Sequence, residues 1–308
     1  MWRAMKTNDQ YLAHFETYLA TEKRVSHNTF SAYKTDILQL LEYLSKSKKN
    51  INNCTTSHLK KFLQHLKKRG LSAKSLSRKV SSIKLFFSFL HEQNWVKNKA
   101  ISLIFPKIEQ TLPIYLTEKE IEQLFEVADK DTSYRGIRNK VALYLLYAAG
   151  MRVSELVNLT IDSIHFDTGF INILGKGNKE RMVPLPKNIL DLLRMYLDVV
   201  IEKLIPKNAK PAAVRYVFPT VYKKEVKPVS RQLLWILLNK IIKKTGITKK
   251  ISPHSLRHSL ATHLLKNGAN IRSLQLLLGH EQLTTVQIYT HLENKQVREI
   301  YDKKHPRA

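Results

Sequence analysis

Six side chains in this 308-residue chain have the types and the order for phosphate chemistry: Arg152, Lys176, His254, Arg257, His280 and Tyr289. They sit in short motifs: Gly150-Met151-Arg152-Val153-Ser154-Glu155-Leu156, Gly175-Lys176-Gly177-Asn178-Lys179, His254-Ser255-Leu256-Arg257-His258, Leu278-Gly279-His280 and Ile288-Tyr289-Thr290-His291. Two guanidiniums can hold non-bridging phosphate oxygens through forked, charge-assisted donors and stabilise a pentacoordinate transition state. Imidazoles and an ammonium can move protons. A phenol, with a pKa near about 10, attacks only where a base and a cationic setting remove its proton. The set has no paired carboxylates to hold Mg²⁺. One at a time these residues are ordinary: a surface arginine, an exposed turn lysine, a helix-capping histidine, one core tyrosine of 13. Their combination carries the chemistry.

The elements that must position them are partly legible. A helix over 141–149 is expected to stop at Gly150 and release Arg152. Glu155, three residues on, is expected to orient an active-site group. Ser252 and Pro253 read as an N-cap and first helical residue, which puts His254 and Arg257 on one face. Lys176 belongs to a hairpin tip whose glycines allow close approach to a ligand; Lys179 competes with it as a proton donor. Thr284 with Gln287 suggests a capping box that places Tyr289 early in a helix. His280 follows a helix ending on Gly279, where it can donate to a phosphate oxygen or simply cap the helix. A zinc site at His254, His258 and His263 is disfavoured, because Arg257 stands among them and no Glu separates the first two. A P-loop is excluded by spacing.

Upstream, four apolar faces predict a helical bundle. They are Leu12, Phe15 and Leu19; Ile37, Leu40, Leu41 and Leu44; Leu59, Phe62, Leu63 and Leu66; and Leu76, Val80, Ile83, Phe87 and Leu90. Ser26, His27, Asn28, Thr29, Tyr33 and Lys34 open the second helix, and Ser72, Lys74, Ser75, Arg78, Lys79 and Lys84 line the fourth. Hydroxyls and helix N-termini beside cations suit phosphate contacts, although a solvated face would look similar. Two prolines mark residues 106–116 as an extended strap. Thr117 and Glu120 start the next helix, with Ile121, Leu124, Phe125 and Ala128 on its apolar face. Residues 161–185 change to a two-residue period, with Ile171, Ile173, Met182 and Val183 in strands; this is expected to be the one β element. The Lys- and Pro-rich stretch 203–228 reads as an irregular loop, after which Ser230 caps a helix.

Composition narrows the partner. The formal net charge is +27, with 43% hydrophobic residues, so this is a folded basic protein suited to a polyanion. Residues 1–105 hold 19 of the 52 Lys/Arg and 6 of the 25 Asp/Glu, so both halves are basic and a clamp around a duplex is expected. Cys54 is alone, which rules out an intrachain disulfide framework. Without a signal-peptide core or a membrane-spanning run, a cytoplasmic location away from membranes is expected.

The order and motifs of the six residues resemble the tyrosine site-specific recombinases, and within them the bacterial Xer recombinases, over nearly the whole chain. The ending His305-Pro306-Arg307-Ala308 fits that resemblance. It implies a mainly α fold in two domains. Residues 1–105 would be a SAM-like four-helix core-binding bundle with Ser26, Thr29, Tyr33, Ser75, Arg78 and Lys84 on DNA. Residues 106–116 would be a linker. Residues 117–308 would be a mostly helical catalytic domain with a small antiparallel sheet. The resemblance makes Tyr289 the nucleophile that forms a 3′-phosphotyrosine, His254 its base and Lys176 the acid for the leaving 5′ oxygen, with no metal, cofactor or ATP. It implies four protomers on a double-stranded recombination site, alone or with a second Xer-like recombinase. Chromosome-dimer resolution with an FtsK-like translocase as activator is the implied role. It also implies a tail, with Val297, Ile300 and Tyr301, that docks on a neighbouring protomer. The alternatives are a phage or mobile-element integrase, disfavoured because no arm-binding extension is seen, a type IB topoisomerase-like enzyme, and a non-catalytic DNA-binding protein.

Overall fold

Apolar residues recurring every three or four positions, bounded by hydroxyl caps, set the helices of the first hundred residues. The computed structural model describes residues 6–107, 114–175, 179–204, 215–222, 225–279, 301 and 304–306. The chain divides into two compact units, Met1–Thr111 and Leu112–Ala308.

The first unit contains α1 (Asn8–Thr21), α2 (His27–Lys46), α3 (Thr56–Lys68) and α4 (Ala73–Glu92). The four expected apolar faces point inward; Phe15, Ile37, Leu44, Leu59, Ile83 and Leu90 are fully buried, and only Leu63 lies at the margin. The spacing did not single out the aromatic knot between α1 and α4. Phe86 meets Phe15 edge-on at 5.0 Å and Phe89 stacks on Tyr18 at 4.6 Å. Helices α2 and α4 lie side by side in the same direction. Arg78 donates to the carbonyl of Ala32 and Ser82 to Asp36, at matching distances from the two helix starts. Both N-termini are therefore at one end of the bundle.

In the second unit, Thr117 and Glu120 close a capping box that starts α5 (Glu118–Asp129). Helix α6 (Tyr134–Ala148) is central: residues 141–149 are buried without a break. The expected helix over 141–149 captured that core run but not the polar turns before it, which Ser133 caps. Helix α7 (Val153–Val157) follows Gly150, and a 3-10 turn at Ile161–Ser163 leads into β1 (Ile164–His165). With β2 (Phe170–Leu174) and β3 (Glu180–Pro184) it forms an antiparallel sheet in the order β1-β2-β3, with Ile171 opposite Val183. Helix α8 (Lys187–Met195) runs through a π-helical turn, Tyr196–Val200, into α9 (Ile201–Leu204).

Two expectations need correction here. The stretch 203–228 is not simply an irregular loop, and the β2–β3 hairpin is not the one β element. Strands β4 (Pro219–Tyr222) and β5 (Glu225–Pro228) pair antiparallel, with Val221 opposite Val226. The segment before them is pinned by Val217, whose N–H donates to the carbonyl of Leu159, and by fully buried Phe218. Lysines and prolines at alternate and terminal positions hid that two-residue period.

Ser230 caps α10 (Arg231–Thr245), as expected, and α11 (Pro253–Lys266) and α12 (Ile271–Leu278) complete the unit. Near the C-terminus Tyr301 is buried in its own unit. Its hydroxyl donates to the carbonyl of Ala148 at 3.0 Å, and His305 stacks on its ring at 4.5 Å. The tail expected to dock on a neighbour thus seats Tyr301 on the same chain; Val297 and Ile300 lie outside the described residues. Among the described residues no helix is long and apolar enough to cross a membrane.

Candidate active site and nucleic-acid interface

Ser252 caps α11 by accepting the N–H of Ser255 at 3.2 Å, and Pro253 fills the first helical position. That start leaves His254 exposed and turns Arg257 inward, where it is only 7% exposed. Arg257 Nη1 donates to the carbonyl of Gly150 at 2.5 Å, and Nη2 donates to the carbonyl of Leu278 at the end of α12. The same Nη1 is 4.0 Å from Glu155 Oε2. Arg152 is the N-cap residue of α7, and Glu155 reaches back to it. Glu155 Oε2 accepts the Arg152 backbone N–H at 2.8 Å, and Oε1 accepts Arg152 Nη1 at 2.7 Å. The acid both closes the first turn of α7 and fixes the arginine side chain.

A third guanidinium completes the cluster, and sequence reasoning missed it. Arg181 on β3 is 4% exposed. Its Nη1 and Nη2 donate to Glu155 Oε1 and Oε2 at 3.0 and 2.7 Å, and its Nε donates to the carbonyl of Leu277 at 3.0 Å. The signal was available: the register that buries Val183 puts Arg181 on the same face, opposite Ile173. An arginine on the core face of a strand demands a carboxylate.

Three cations thus share one carboxylate. Burial alone would raise Glu155, but the hydrogen bond and charge of Arg181, and then the hydrogen bonds of Arg152, outweigh it and hold the acid below its usual range. Burial, then the charges of Arg152 and Arg181, push Arg257 down to about 9, against the pull of Glu155. It stays protonated at neutral pH, and an anion entering the cluster would relieve the repulsion.

Two glycines let these elements approach. Gly150 has φ +54°, and a Cβ there would meet Leu278 Cδ2 at 2.7 Å and Leu260 Cδ2 at 3.0 Å. Gly279, with φ +63°, ends α12, and a Cβ there would meet Arg181 Cδ at 3.1 Å. The base of the β2–β3 hairpin is close as well: a Cβ on Gly175 would lie 3.8 Å from Glu155 Oε1.

The described structure therefore brings together Arg152, Glu155 and Arg257, adds Arg181, and sets His254 one turn before Arg257 on the exposed side of α11. Lys176, His280 and Tyr289 lie outside the described residues. Lys179, the alternative proton donor, is exposed at the start of the return strand. His263 is a core residue. Its Nε2 faces the carbonyl of Leu116 at 2.8 Å, so that nitrogen carries the proton and Nδ1 accepts from the Tyr147 hydroxyl at 2.8 Å. Both ring nitrogens are thus occupied, and the zinc alternative loses one of its three ligands.

In the first unit the proposed contact residues separate into two groups. Ser26 caps α2 and bonds Thr29, and Ser72 caps α4 and bonds Ser75, at the shared end of the two helices. Two N-termini with hydroxyl caps make an anion-accepting edge. Arg78 lies near that edge, with Nη1 on the Asp36 carboxylate and the Ala32 carbonyl and its side chain 41% exposed. Tyr33 packs partly against the core. Lys84 stands apart, further along α4, with its ammonium 5.0 Å over the ring of Phe105. Sequence reasoning passed over Asp36, which is fully buried and also binds Lys79 at 2.6 Å and Ser82 at 3.2 Å.

The chain matches the phage integrase family over residues 115–296 and the phage integrase N-terminal SAM-like domain over residues 12–94. It is 36% identical over 302 residues to the tyrosine recombinase XerD of Staphylococcus saprophyticus, covering 97% of this chain and 100% of the relative. It is 38% identical over 293 residues to XerD of Staphylococcus epidermidis, covering 94% of this chain and 97% of the relative. Among solved structures it is similar to the XerH site-specific recombinase bound to its difH substrate in a pre-cleavage complex. That likeness has TM-score 0.67 and 26% identity, over 94% of this chain and 83% of that one. With the family matched over most of the chain and relatives matched end to end, the chain belongs to the phage integrase family and is a tyrosine recombinase of the Xer type.

Proposed function

We propose that this recombinase cuts and rejoins DNA at a specific site through Tyr289, which attacks the scissile phosphate and forms a 3′-phosphotyrosine. The observation that carries this reading is the cluster of Arg152, Arg181 and Arg257 around the single carboxylate of Glu155, buried and with positive charge to spare. Arg152 and Arg257 hold the non-bridging oxygens and stabilise the pentacoordinate transition state. His254, exposed beside them, takes the tyrosine proton, Lys176 protonates the leaving 5′ oxygen, and His280 donates to the phosphate. The freed 5′-hydroxyl then attacks the phosphotyrosine of the partner strand. The bond energy is kept in the covalent link, so the steps use neither ATP nor a metal.

Double-stranded DNA is the substrate in this reading. Ser26, Thr29, Tyr33, Ser75, Arg78 and Lys84 contact it from the first unit, and four protomers act on a pair of sites, alone or with a second Xer-like recombinase. The biological role is resolution of chromosome dimers at segregation, in the cytoplasm, with an FtsK-like translocase as activator. The XerD relatives and the likeness to XerH on its difH substrate support it.

The test is a nicked suicide duplex carrying a Xer-type site, incubated with the protein in EDTA and resolved on a denaturing gel. A covalent adduct that forms with the parent and not with Tyr289→Phe is expected. An adduct that survives Tyr289→Phe, or none from the parent despite tight binding, overturns the assignment.

A further inference from the structure

Arg181 joins three elements through one planar head. It forks onto both oxygens of Glu155 on α7, donates from Nε to the Leu277 carbonyl in the last turn of α12, and itself belongs to β3. We propose that Arg181 is a positioning residue for strand cleavage: it locks Glu155 and the end of α12 into one piece, so that Arg152 keeps a fixed separation from the chain that leaves α12 at Gly279. This inference rests on the cleavage reading above.

Three observations carry it. The Arg181 fork is already spent on the two Glu155 oxygens and its Nε on the Leu277 carbonyl, so none of its three nitrogens is left to meet a phosphate. Glu155 passes the constraint on, because its two oxygens also hold the backbone and the guanidinium of Arg152. The end of α12 is fitted to Arg181, since Gly279 has no side chain where Arg181 Cδ passes. His280 is the next residue in the chain. A lysine cannot replace this head: a point ammonium does not hold two carboxylate oxygens and a carbonyl in one plane.

The test measures single-turnover adduct formation on the nicked Xer-type duplex at saturating protein. The proteins are the parent, Arg181→Met, Arg181→Lys, Glu155→Gln and the Arg181→Met/Glu155→Gln double variant. DNA affinity and thermal melting are measured alongside. Arg181→Met is expected to slow the adduct about 100-fold, the cost of misplacing a reacting group by an ångström. Half-saturation on DNA should move by less than about threefold, because only the chemical step is affected. Arg181→Lys should recover little of the rate. The double variant should be no slower than the slower single one, since both break the same link.

A duplex with a neutral methylphosphonate at the scissile position separates positioning from contact. It should compensate for Arg257→Met, and for Arg181→Met no more than for Arg152→Met, because Arg181 acts through that residue. Parental rates in Arg181→Met or Arg181→Lys overturn the proposal, as do fully multiplicative losses in the double variant or a methylphosphonate rescue of Arg181→Met that exceeds the rescue of Arg152→Met. If Arg181→Met loses its melting transition, Arg181→Lys decides alone. A parent chain that forms no adduct sinks the cleavage reading first, and this inference with it.

Discussion

Among the described residues each unit buries one carboxylate among cations, and the two arrangements differ in what they leave over. In the first unit Asp36 is fully buried and is met by Lys79, Arg78 and the Ser82 hydroxyl, while Gln39 takes a further bond from Lys79. Lys79 is nearly as deeply buried as its partner. That cluster is closed on its inner side; only Arg78 reaches outward. In the second unit Glu155 is shared by Arg152, Arg181 and Arg257, and two guanidiniums spend donors on the carbonyls of Leu277 and Leu278 at a helix C-terminus. Here one negative charge serves three positive ones. A buried pair that balances holds a fold; a buried cluster with cations in excess holds a place for an anion.

The largest expected effect tests the closed cluster. Asp36→Ala strands the Lys79 ammonium in the interior, and removing one partner of such a pair costs about 3–5 kcal/mol. Urea unfolding should show this loss in the first unit. The pair Asp36→Leu with Lys79→Met should recover most of it, because well-packed apolar groups replace a buried ion pair at little cost. If the double variant is as unstable as Asp36→Ala, Asp36 does something beyond pairing.

The open cluster should respond in the opposite way. Arg257→Met removes one of three crowded cations, which offsets part of the loss of its bonds to the Gly150 and Leu278 carbonyls, so stability should fall by less than in Asp36→Ala. Adduct formation should fall about 10²–10³-fold, the usual cost of losing one donor to a transition-state oxyanion. Chemical denaturation and the suicide-duplex assay, run on one preparation, separate the two. A variant that unfolds without a specific catalytic loss would make Arg257 a structural residue and erase the contrast.

The contrast also explains what could be seen in advance. Helix faces were legible because burial follows a 3.6-residue period, as at Ile37, Leu40 and Leu44. Arg152 and Arg257 stood out because each follows a local signal, a helix-stopping glycine or a Ser-Pro start. Asp36 and Arg181 did not. Asp36 sits among apolar neighbours on a helix face, and its partners are more than 40 residues away in sequence. Arg181 meets Glu155 across 26 residues and Leu277 across 96. Local spacing finds elements; it does not report which charges the fold brings together. The β4–β5 hairpin was missed for a related reason, since its prolines lie at the strand ends where they interrupt no ladder.

A smaller effect probes how tightly the open cluster is built. Gly150 supplies the carbonyl that Arg257 holds, in a left-handed conformation pressed against Leu278 and Leu260. Gly150→Ala should cost about 1–3 kcal/mol from backbone strain and overpacking. It should also slow adduct formation, because the Arg257 anchor shifts. A stability loss with an unchanged rate would mean that the guanidinium does not depend on that carbonyl.

The shallowest prediction concerns pH and separates the units again. His263 ties α11 to Leu116 and Tyr147, and burial holds it below the usual histidine range, with the Leu116 carbonyl and the charge of Glu118 pulling the other way and Lys266 adding to the depression. Its neutral form is the folded one, so below about pH 6.5 the unfolded chain binds a proton that the folded chain resists. Stability of the second unit should therefore fall on acidification from pH 7 to 5, by at most about 1.4 kcal/mol per pH unit for one proton. Glu155 cannot produce that slope: its pKa is depressed, so its contribution is lost only on further acidification, below the ordinary carboxylate range. His263→Gln keeps a donor for Leu116 and an acceptor for Tyr147 but does not titrate. It should flatten the dependence of the second unit's melting temperature between pH 7 and 5. An unchanged slope in that variant would assign the acid sensitivity to another group and leave His263 a neutral link at every pH.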